Sequence, residues 1–296
     1  MYNRTTKTHC STKECHMPTK NKNEVTQYKN EVNGIPMRSW TAEEMNIFFA
    51  ILTQMRDKGT RKLEFDKYQL QELIDYTHHH NKLFSNTMQS LGKKIQSLTY
   101  YESTSNSFLM MPLFTLFKSQ WKADLSDVKL TVAVNPDFEY ILNGWQESHW
   151  TKFMYDEFLQ IESTYSKTLF RLLKQWRTKG KREFSIQEFR LLMDIPDSYS
   201  LGMINTRIVA KSVKDLQPYF SGLKVKIVKS NKRGNPVVGY EFTWQAEETE
   251  AYEHNKFNKP KFRKNSGVHD YQERKYDEEF YKRLLKGTKD QIDYDE

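Results

Sequence analysis

The strongest constraint on the fold is an order of elements that the sequence predicts twice. In each half of the 296-residue chain, a helix is followed by a short extended segment, two further helices and a pair of strands joined by a polar turn. The apolar positions that align between the two copies are Phe65 with Phe184, Leu73 with Leu192, Leu91 with Val209, Ile95 with Val213 and Leu98 with Leu216. This order is that of a helix-turn-helix followed by a β-hairpin wing. The sequence therefore predicts an α+β protein with two tandem winged-helix domains.

We expect the two domains at residues 25–150 and 151–245, flanked by tails at residues 1–24 and 246–296. A chain of this length suits two cores of ordinary size. The first tail holds hardly an apolar side chain, and the second is mostly charged with scattered aromatics. Segments of such composition cannot bury enough apolar surface to offset their loss of conformational entropy. We therefore predict a disordered N-terminal tail and a flexible, charged C-terminal tail.

In the first half, Thr41 and Glu44 form a capping-box pattern that starts a helix, and Gly59 is the expected stop. The other elements expected here are a second helix capped by Asp66, a third helix to about Leu98, a hairpin of residues 98–101 and 108–117, a strand at 128–134 and a short helix at 135–142. The side chains expected to face inward on the second and third helices are Leu70, Leu73, Ile74, Phe84, Met88, Leu91, Ile95 and Leu98.

In the second half, Ser163 and Ser185 are the expected caps of the first two helices. The first helix is expected to end at Gly180 and the second before Pro196. A third helix is expected at residues 200–216, and strands are expected at residues 223–228 and 237–244. The turn between these strands, residues 229–236, is rich in Ser, Asn and Gly, as expected for a long hairpin connection.

The composition argues against membrane, secreted and disulfide-stabilised classes. The longest apolar run, residues 108–114, is far shorter than the roughly 20 residues that a membrane span needs. No apolar segment follows the charges near the N-terminus, so we expect no secretory signal. Cys10 and Cys15 are the two cysteines, and both lie in the predicted N-terminal tail, so disulfides are not expected to hold the core. We expect a cytoplasmic protein without a cofactor.

The net charge of +8 is unevenly distributed along the chain. Residues 163–244 hold 16 Lys and Arg against 6 Asp and Glu, whereas residues 25–150 hold 13 against 14. A cationic excess in one folded half is typical of a polyanion-binding surface, because each neutralised phosphate releases counterions. The alternative is a basic domain whose charges serve only its solubility.

The third helix of the second half has two contrasting sides. The apolar side gathers Leu201, Ile204, Ile208, Val209, Val213 and Leu216, and the other side carries Met203, Arg207, Lys211 and Lys214, with Ser200 beside them. Arg and Lys can read guanine in the major groove, and small polar groups reach phosphates. We therefore expect Arg207, Lys211 and Lys214 to contact DNA, with Ser200 nearby. The alternative is an ordinary solvated helix face.

Two neighbouring elements add cations that we expect on the same surface. The first helix of this half carries Lys167, Arg171 and Lys174 away from its apolar side, where a helix crossing the DNA backbone would meet phosphates. The cations of the hairpin are Lys229, Lys232 and Arg233 in the turn and Lys224 and Lys226 on its first strand. We expect the turn to act as a wing in the adjacent groove, and the three elements to converge on one side of duplex DNA.

The third helix of the first half is predicted to make a secondary DNA contact. Its outward side chains are expected to be Lys82, Ser85, Asn86, Gln89 and Lys93. Asn and Gln can read adenine, but this half has no cationic excess. Its other expected role is to bind a second copy of the chain through the apolar hairpin around residues 110–116, which would give a monomer–dimer equilibrium.

Several stretches resemble the RepA/RepB-type iteron-binding replication initiators of theta-replicating plasmids, a tandem winged-helix family. The resemblance covers residues 24–244 and includes 165–176 (YSKTLFRLLKQW), 184–199, 239–244 (GYEFTW), 23–25 (NEV) and 40–44 (WTAEE). It implies a bacterial protein that binds repeated sites at a plasmid origin and helps to melt nearby DNA. It also implies recruitment of the host initiator and helicase, and repression of its own gene, which controls copy number, when dimeric. The two tails lie outside the resemblance.

Other functions fit the sequence less well. A rolling-circle nickase needs two histidines flanking one hydrophobic residue, but residues 78–80 are all histidine, and a tyrosine–lysine pair, Tyr271 and Lys275, lies in the tail. No Gly-x-x-x-x-Gly-Lys-Ser/Thr loop is present, so we expect no ATPase activity. Carboxylates do not cluster on one strand or helix as in a two-metal nuclease, and we expect no enzyme. The Cys and His of residues 9–16 could bind zinc, although no folded module is expected around them. A winged-helix repressor without a role at an origin would use the same surface and stays an alternative.

Overall fold

The computed structural model describes residues 24–56, 62–66, 68–70, 81–103, 106–122, 128–136 and 150–248. The predicted features that lie outside these residues are the N-terminal tail to residue 23, Gly59, Leu73, Ile74, the histidines at 78–80, most of the helix expected at 135–142, the C-terminal tail beyond residue 248 with Tyr271 and Lys275, and the side chains of Lys82 and Phe84.

The described elements of the first half are β1 (Val25–Lys29), a 3₁₀ helix (Asn30–Gly34), α1 (Ala42–Met55), β2 (Leu63–Asp66), α2 (Asn81–Gln96), β3 (Thr99–Ser103), β4 (Phe108–Pro112), β5 (Phe114–Trp121) and β6 (Val128–Val134). The capping box predicted at the start of α1 is confirmed, because the Thr41 hydroxyl accepts a bond from the Glu44 amide while the Glu44 carboxylate accepts one from the Thr41 amide. Asp66 accepts a bond from the Gln69 amide, as expected for a cap.

The second half continues with β7 (Trp150–Met154), α3 (Tyr155–Leu159), α4 (Thr164–Lys174), β8 (Lys181–Ser185), α5 (Ile186–Leu192), α6, β9 (Lys224–Lys229) and β10 (Val237–Thr243). The helix α6 joins α-helical Leu201–Met203 and Ala210–Leu216 through a π-helical segment, Ile204–Val209. The caps predicted at Ser163 and Ser185 are both present, the second as a full capping box with Glu188.

Each half contains a three-stranded antiparallel sheet with the same connectivity. The strand orders are β2-β6-β5 and β8-β10-β9, so that in each half the short strand after the first helix pairs with the last strand. Phe65 and Phe184, which align in the sequence, are both buried in the first strand of their sheets. The predicted tandem winged-helix fold is confirmed.

The hairpin of the first half differs from the prediction in one respect. β3 and β4 pair with each other, from Thr99 opposite Pro112 to Ser103 opposite Phe108. The expected second strand ends at Pro112, which has no amide hydrogen with which to continue the ladder. Leu113 is buried, and β5 then pairs with β6 in the other sheet. The expected strand at residues 108–117 is therefore two strands in two sheets.

The segment that follows the first sheet returns to the beginning of the chain. β1 pairs antiparallel with β7, from Val25 opposite Met154 to Lys29 opposite Trp150. α3 packs against α1, where the Phe49 and Phe158 ring centroids lie 4.9 Å apart. The boundary that we expected after residue 150 therefore falls within β7, and β7 and α3 pack with the first half.

The helix α4 lies between the two halves. Its Phe170 contacts Phe153 and Phe158 on the first-half side and Phe220 on the second-half side. The buried apolar side chains of both halves form one continuous cluster through this helix. None of the helices in the described ranges has the length and apolar character that crossing a membrane requires.

Candidate nucleic-acid interface

The side of α6 that the sequence predicted to face DNA is exposed to solvent. Arg207, Lys211 and Lys214 are all exposed, and they form no ion pair within the described part of the chain. The Ser200 hydroxyl accepts a bond from the Met203 amide at 3.3 Å, so Ser200 is an exposed N-cap of this helix. The predicted inner side chains are buried or half-buried: Leu201, Ile204, Ile208, Val209, Val213 and Leu216.

Polar contacts fix the inner side of α6. The Asp215 carboxylate accepts a bond from the Ser166 hydroxyl of α4 at 2.7 Å. The side-chain oxygen of Asn205, within the π-helical segment, accepts one from the Tyr240 hydroxyl at 2.6 Å. Asp215 is the only acidic residue in α6. Because its carboxylate bonds to α4, the outer side of α6 presents cations without a competing negative charge.

The turn between β9 and β10 forms the predicted wing. Lys229, Lys232 and Arg233 are exposed there. The turn is closed by bonds from the Ser230 amide to the Pro236 carbonyl and from the Asn235 amide to the Lys232 carbonyl. Gly234, with φ of +85°, and Asn235, with φ of +44°, adopt the left-handed backbone that this closure requires. The wing therefore holds three cations on a defined turn.

Lys224 and Lys226 lie on the opposite face of the sheet from the helices. Val225, between them, is paired with Phe242, whose ring stacks on Phe189 of α5. Successive side chains of a strand point to opposite faces, so the two lysines point away from α5 and α6. They are exposed and share one face, as expected, but the expectation that they join the surface of α6 is wrong.

The three cations of α4 do not face solvent. Lys167 and Arg171 are 0% exposed and Lys174 is 1% exposed, so the expectation that they meet DNA phosphates is wrong. The physical reason is that α4 is buried on two sides. One side packs into the second half, and the other lies against α1, β7 and the 3₁₀ helix of the first half. A helical wheel shows which side chains group together but not that a second partner covers the polar side.

Lys167 is held by uncharged groups of the first half. Its ammonium donates to the Asn46 side-chain oxygen at 2.7 Å and to the Phe158 carbonyl, and it lies 4.1 Å from the centroid of the Phe158 ring. Burial lowers the pKa of Lys167 from 10.5 to about 7, and the nearby Glu43 carboxylate opposes this effect. The amine therefore titrates near neutral pH.

Arg171 is also buried among uncharged groups. Its Nη1 donates to the Asn33 side-chain oxygen at 3.4 Å, and its guanidinium lies 5.0 Å from the Phe49 ring centroid. The Tyr28 hydroxyl donates to the same Asn33 oxygen at 3.0 Å. Burial lowers the pKa of Arg171 and raises the pKa of Tyr28. The Nε and Nη2 atoms of Arg171 have no hydrogen-bond partner among the described residues.

Lys174 differs from the other two because it pairs with carboxylates. It lies 3.1 Å from Glu157 of α3 and 2.7 Å from Glu247, which follows β10. Burial raises the pKa of Glu157, and the charge of Lys174 opposes that rise. We refer to Lys167, Arg171, Lys174 and the side chains that bind them as the polar seam. The seam joins the two halves of the molecule.

The α2 helix of the first half exposes part of the predicted contact. Asn86, Gln89 and Lys93 are exposed, as expected. Ser85 is buried, and its expected outward position is wrong, because it lies one turn before the buried Met88 on the inner side of the helix. The side chain of Lys82, at the start of α2, is outside the described residues. With two amides and one cation, this described surface attracts phosphate less strongly than α6 does.

The hairpin of β3 and β4 exposes an apolar patch. Phe108 is 74% exposed and Met110 is 58% exposed, with Leu109 beside them. Met111 and Leu113 are buried, so the patch lies nearer to the tip than the expected residues 110–116. Among the described strands, β4 pairs with β3 alone, which leaves its other edge open. Exposed apolar groups beside an open edge favour strand pairing with another chain.

Two sets of residues at these surfaces were not found from the sequence. Tyr28, Asn33 and Asn46 complete the polar seam. No local pattern marks them, because Asn46 and Asn33 bind cations more than 100 residues away and Tyr28 binds Asn33. Thr206 and Ala210 are exposed on the outer side of α6. Their spacing of four residues, continuous with Lys214, could have placed them there.

In the part of the chain that the structure describes, no group of three His, Cys, Asp or Glu side chains is placed to bind a metal ion. The zinc ligands considered at residues 9–16 lie outside that part.

Two winged-helix units, one of which presents a cationic helix and wing, define a DNA-binding protein of the tandem winged-helix class. The family described as "Initiator Replication protein, WH1" matches residues 25–174, and "Initiator Rep protein, WH2" matches residues 185–244. The chain belongs to this family of replication initiator proteins, and is a DNA-binding replication initiator.

Individual relatives agree with this assignment. "Probable replication protein rep" of Bifidobacterium longum (strain NCC 2705) is 28% identical over 217 residues, which cover 73% of this chain and 70% of the relative. The solved structure titled "Crystal structure of Pi initiator protein in complex with iteron DNA" matches with a TM-score of 0.57. That match covers 77% of this chain and 99% of the other at 12% identity, and it shows a shared fold.

Proposed function

We propose that this protein starts plasmid replication by binding sequence-specifically to repeated sites, or iterons, at the plasmid origin. The observation that carries the proposal is the set of exposed cations on α6 and the wing: Arg207, Lys211, Lys214, Lys229, Lys232 and Arg233. Membership of the initiator family supports a role at an origin. The Pi initiator protein, whose fold is similar, was crystallised in complex with iteron DNA.

In this proposal α6 is the recognition helix. A B-DNA major groove admits one α-helix, and the guanidinium of Arg207 can bond two acceptors of a guanine edge. Lys211 and Lys214 lie one and two turns further along, where they would bind phosphates. Ser200 caps the helix at its N-terminal end, where amide dipoles favour a phosphate. The wing cations then contact the backbone of the adjacent groove.

The first domain makes the secondary contact in this proposal. Asn86, Gln89 and Lys93 project from α2, the helix equivalent to α6 in the repeat, and Lys82 belongs to the same helix. The amide side chains can bond adenine edges, while Lys93 contributes one phosphate contact. Affinity would come mainly from the second domain and additional specificity from the first.

Self-association through β4 would give the dimeric form. Phe108 and Met110 lie on one face of the strand, and its open edge lets a second copy extend the sheet. Pairing of two such edges would bury apolar side chains that are exposed in the single chain. We propose that the dimer represses the protein's own gene and thereby limits plasmid copy number.

Origin opening follows from binding several copies side by side on adjacent repeats. The free energy of many protein–DNA contacts can offset the cost of bending and unstacking nearby base pairs. We propose that this bacterial cytoplasmic complex recruits the host initiator and helicase. We assign no catalytic residue and no cofactor to this role.

Footprinting of the purified protein on the DNA that flanks its gene tests the proposal. We expect protection of direct repeats spaced by about two helical turns. The variant with Arg207, Lys211 and Lys214 all replaced by Ala should lose this protection, while Lys224→Ala, on the other sheet face, should retain it. A single protected inverted repeat would indicate a repressor instead, and no protection at moderate salt would refute DNA recognition at this locus.

A further inference from the structure

The contact between the two halves contains three buried cations of α4. Lys167, Arg171 and Lys174 recur along one side of α4, and each binds the first half. Lys167 reaches α1 and the end of α3, Arg171 reaches the 3₁₀ helix, and Lys174 reaches α3. The three contacts therefore fix α4 against three separate elements of the first domain.

The partners of Lys167 and Arg171 do not neutralise them. Their hydrogen-bond acceptors are the Asn46 amide, the Phe158 carbonyl and the Asn33 amide, none of which carries a charge. Taking an ion out of water costs free energy, and uncharged acceptors return only part of that cost. Apolar side chains of similar volume would bury the same surface without this cost. Lys167 and Arg171 are therefore poorly suited to stabilising the contact between the two halves.

Directional hydrogen bonds do fix one orientation of the first half relative to the second. Asn33 receives bonds from Arg171 and Tyr28 and donates to Thr151 at 2.8 Å and to Gln175 at 3.2 Å. This network ties the 3₁₀ helix, β7 and α4 together at one angle, because rotating either half would leave buried donors without acceptors. An apolar contact would tolerate small rotations.

We infer that Lys167 and Arg171 are positioning residues for DNA recognition, which hold the first domain on the second so that α2 and α6 contact one duplex at a fixed separation. This inference rests on the proposed function, since it requires that both helices bind DNA. Neither residue touches DNA in this account. Both act through the orientation of the domains.

A fixed separation makes binding sensitive to the spacing within the site. One inserted base pair moves the second half of a site by about 3.4 Å along the duplex axis and rotates it by about 35°. Two linked modules gain affinity from each other only when both can bind simultaneously. For the wild-type protein we therefore expect one inserted base pair between the segments bound by the two domains to weaken binding by roughly tenfold or more.

The test measures binding of the full-length protein to a natural repeat and to the same repeat with one base pair inserted. Lys167→Met keeps an unbranched side chain of similar length without its charge. We expect this variant to bind the natural repeat several-fold more weakly and to lose most of the spacing penalty, to about threefold or less. Lys224→Met, on the sheet face away from the helices, is the matched control and should behave as wild type.

A second variant tests the same inference in case Lys167→Met does not fold. Arg171→Lys keeps a cation but cannot reproduce the planar guanidinium contacts, and it should shift the spacing penalty in the same direction. Circular dichroism would verify the fold of each variant. The inference is overturned if the seam variants keep the wild-type ratio between the two sites, whatever their absolute affinity, or if the wild type shows no spacing penalty. Absence of any wild-type binding to the repeat would instead refute the proposed function itself.

Discussion

The buried amine of Lys167 should make the stability of the protein rise with pH above neutrality. Its pKa is lowered from 10.5 to about 7 because the ammonium is buried and its acceptors are uncharged. Between these two values the unfolded chain binds more protons than the folded chain. Stability therefore increases with pH through this window, and the full penalty of burying the charge is present below it.

The magnitude follows from the two pKa values. Each pKa unit is worth about 1.4 kcal/mol, so the penalty reaches about 5 kcal/mol well below pH 7. Between about pH 7.5 and pH 9 the free energy of unfolding should rise by about 2 kcal/mol from this group alone. Tyr28 and Tyr155, whose pKa values burial raises, should begin to reverse the trend only as the unfolded phenols ionise near pH 10.

Urea unfolding of the wild type and of Lys167→Met at these two pH values gives the measurement. The difference between the two proteins should change by about 2 kcal/mol, because all other titrating groups are common to both. Lys224→Met, an exposed lysine substitution, should follow the wild type at both pH values. A wild-type to Lys167→Met difference that does not change with pH would refute the argument that a charged amine is buried in the seam.

Three further predictions concern the proposed surfaces. Arg207→Ala should weaken binding to the specific repeat by about 1–3 kcal/mol, with little change on unrelated DNA, in a fluorescence anisotropy titration; equal losses on both DNAs would mean that Arg207 does not read a base. Replacing Lys232 and Arg233 together by Ala should reduce the slope of log K against log salt by about 2, whereas replacing Lys224 and Lys226 together should leave it unchanged. If the second pair changes the slope as much as the first, the assignment of the two sheet faces to DNA is wrong. Phe108→Asp with Met110→Asp should convert any dimer to monomer in analytical ultracentrifugation, while Ile227→Asp, an exposed apolar site in the other domain, should not; a dimer that persists in the double variant would locate the interface elsewhere.

The fold could be predicted from local signals because each winged-helix element has its own. The capping boxes at Thr41 and Ser185 mark helix starts, and the polar residues at 229–236 mark the wing. Pro112 marks the end of β4 in the sequence. It does not show with which strand the residues after it pair. The change of sheet at Leu113 is decided by tertiary packing that no local pattern encodes.

On α6 and at the wing, the cations lie exposed to solvent, as the sequence predicted, and their contact with DNA stays a prediction. The prediction was wrong on α4, because Lys167 and Arg171 look like a solvated helix face until the first domain covers them. It was also wrong for Lys224 and Lys226. Strand alternation puts these two lysines on one face, but only the pairing of Val225 with Phe242 shows which face the helices occupy.

Competition between specific and unrelated DNA tests the central claim most directly. The full-length protein would be titrated with a labelled duplex of the repeat that flanks its gene at about 150 mM salt, against an unlabelled duplex of shuffled sequence. Recognition by α6 and the wing predicts a preference of at least about 10³ for the repeat. A preference near one would mean that these cations attract DNA only through its charge, and would contradict the proposal of a sequence-specific initiator.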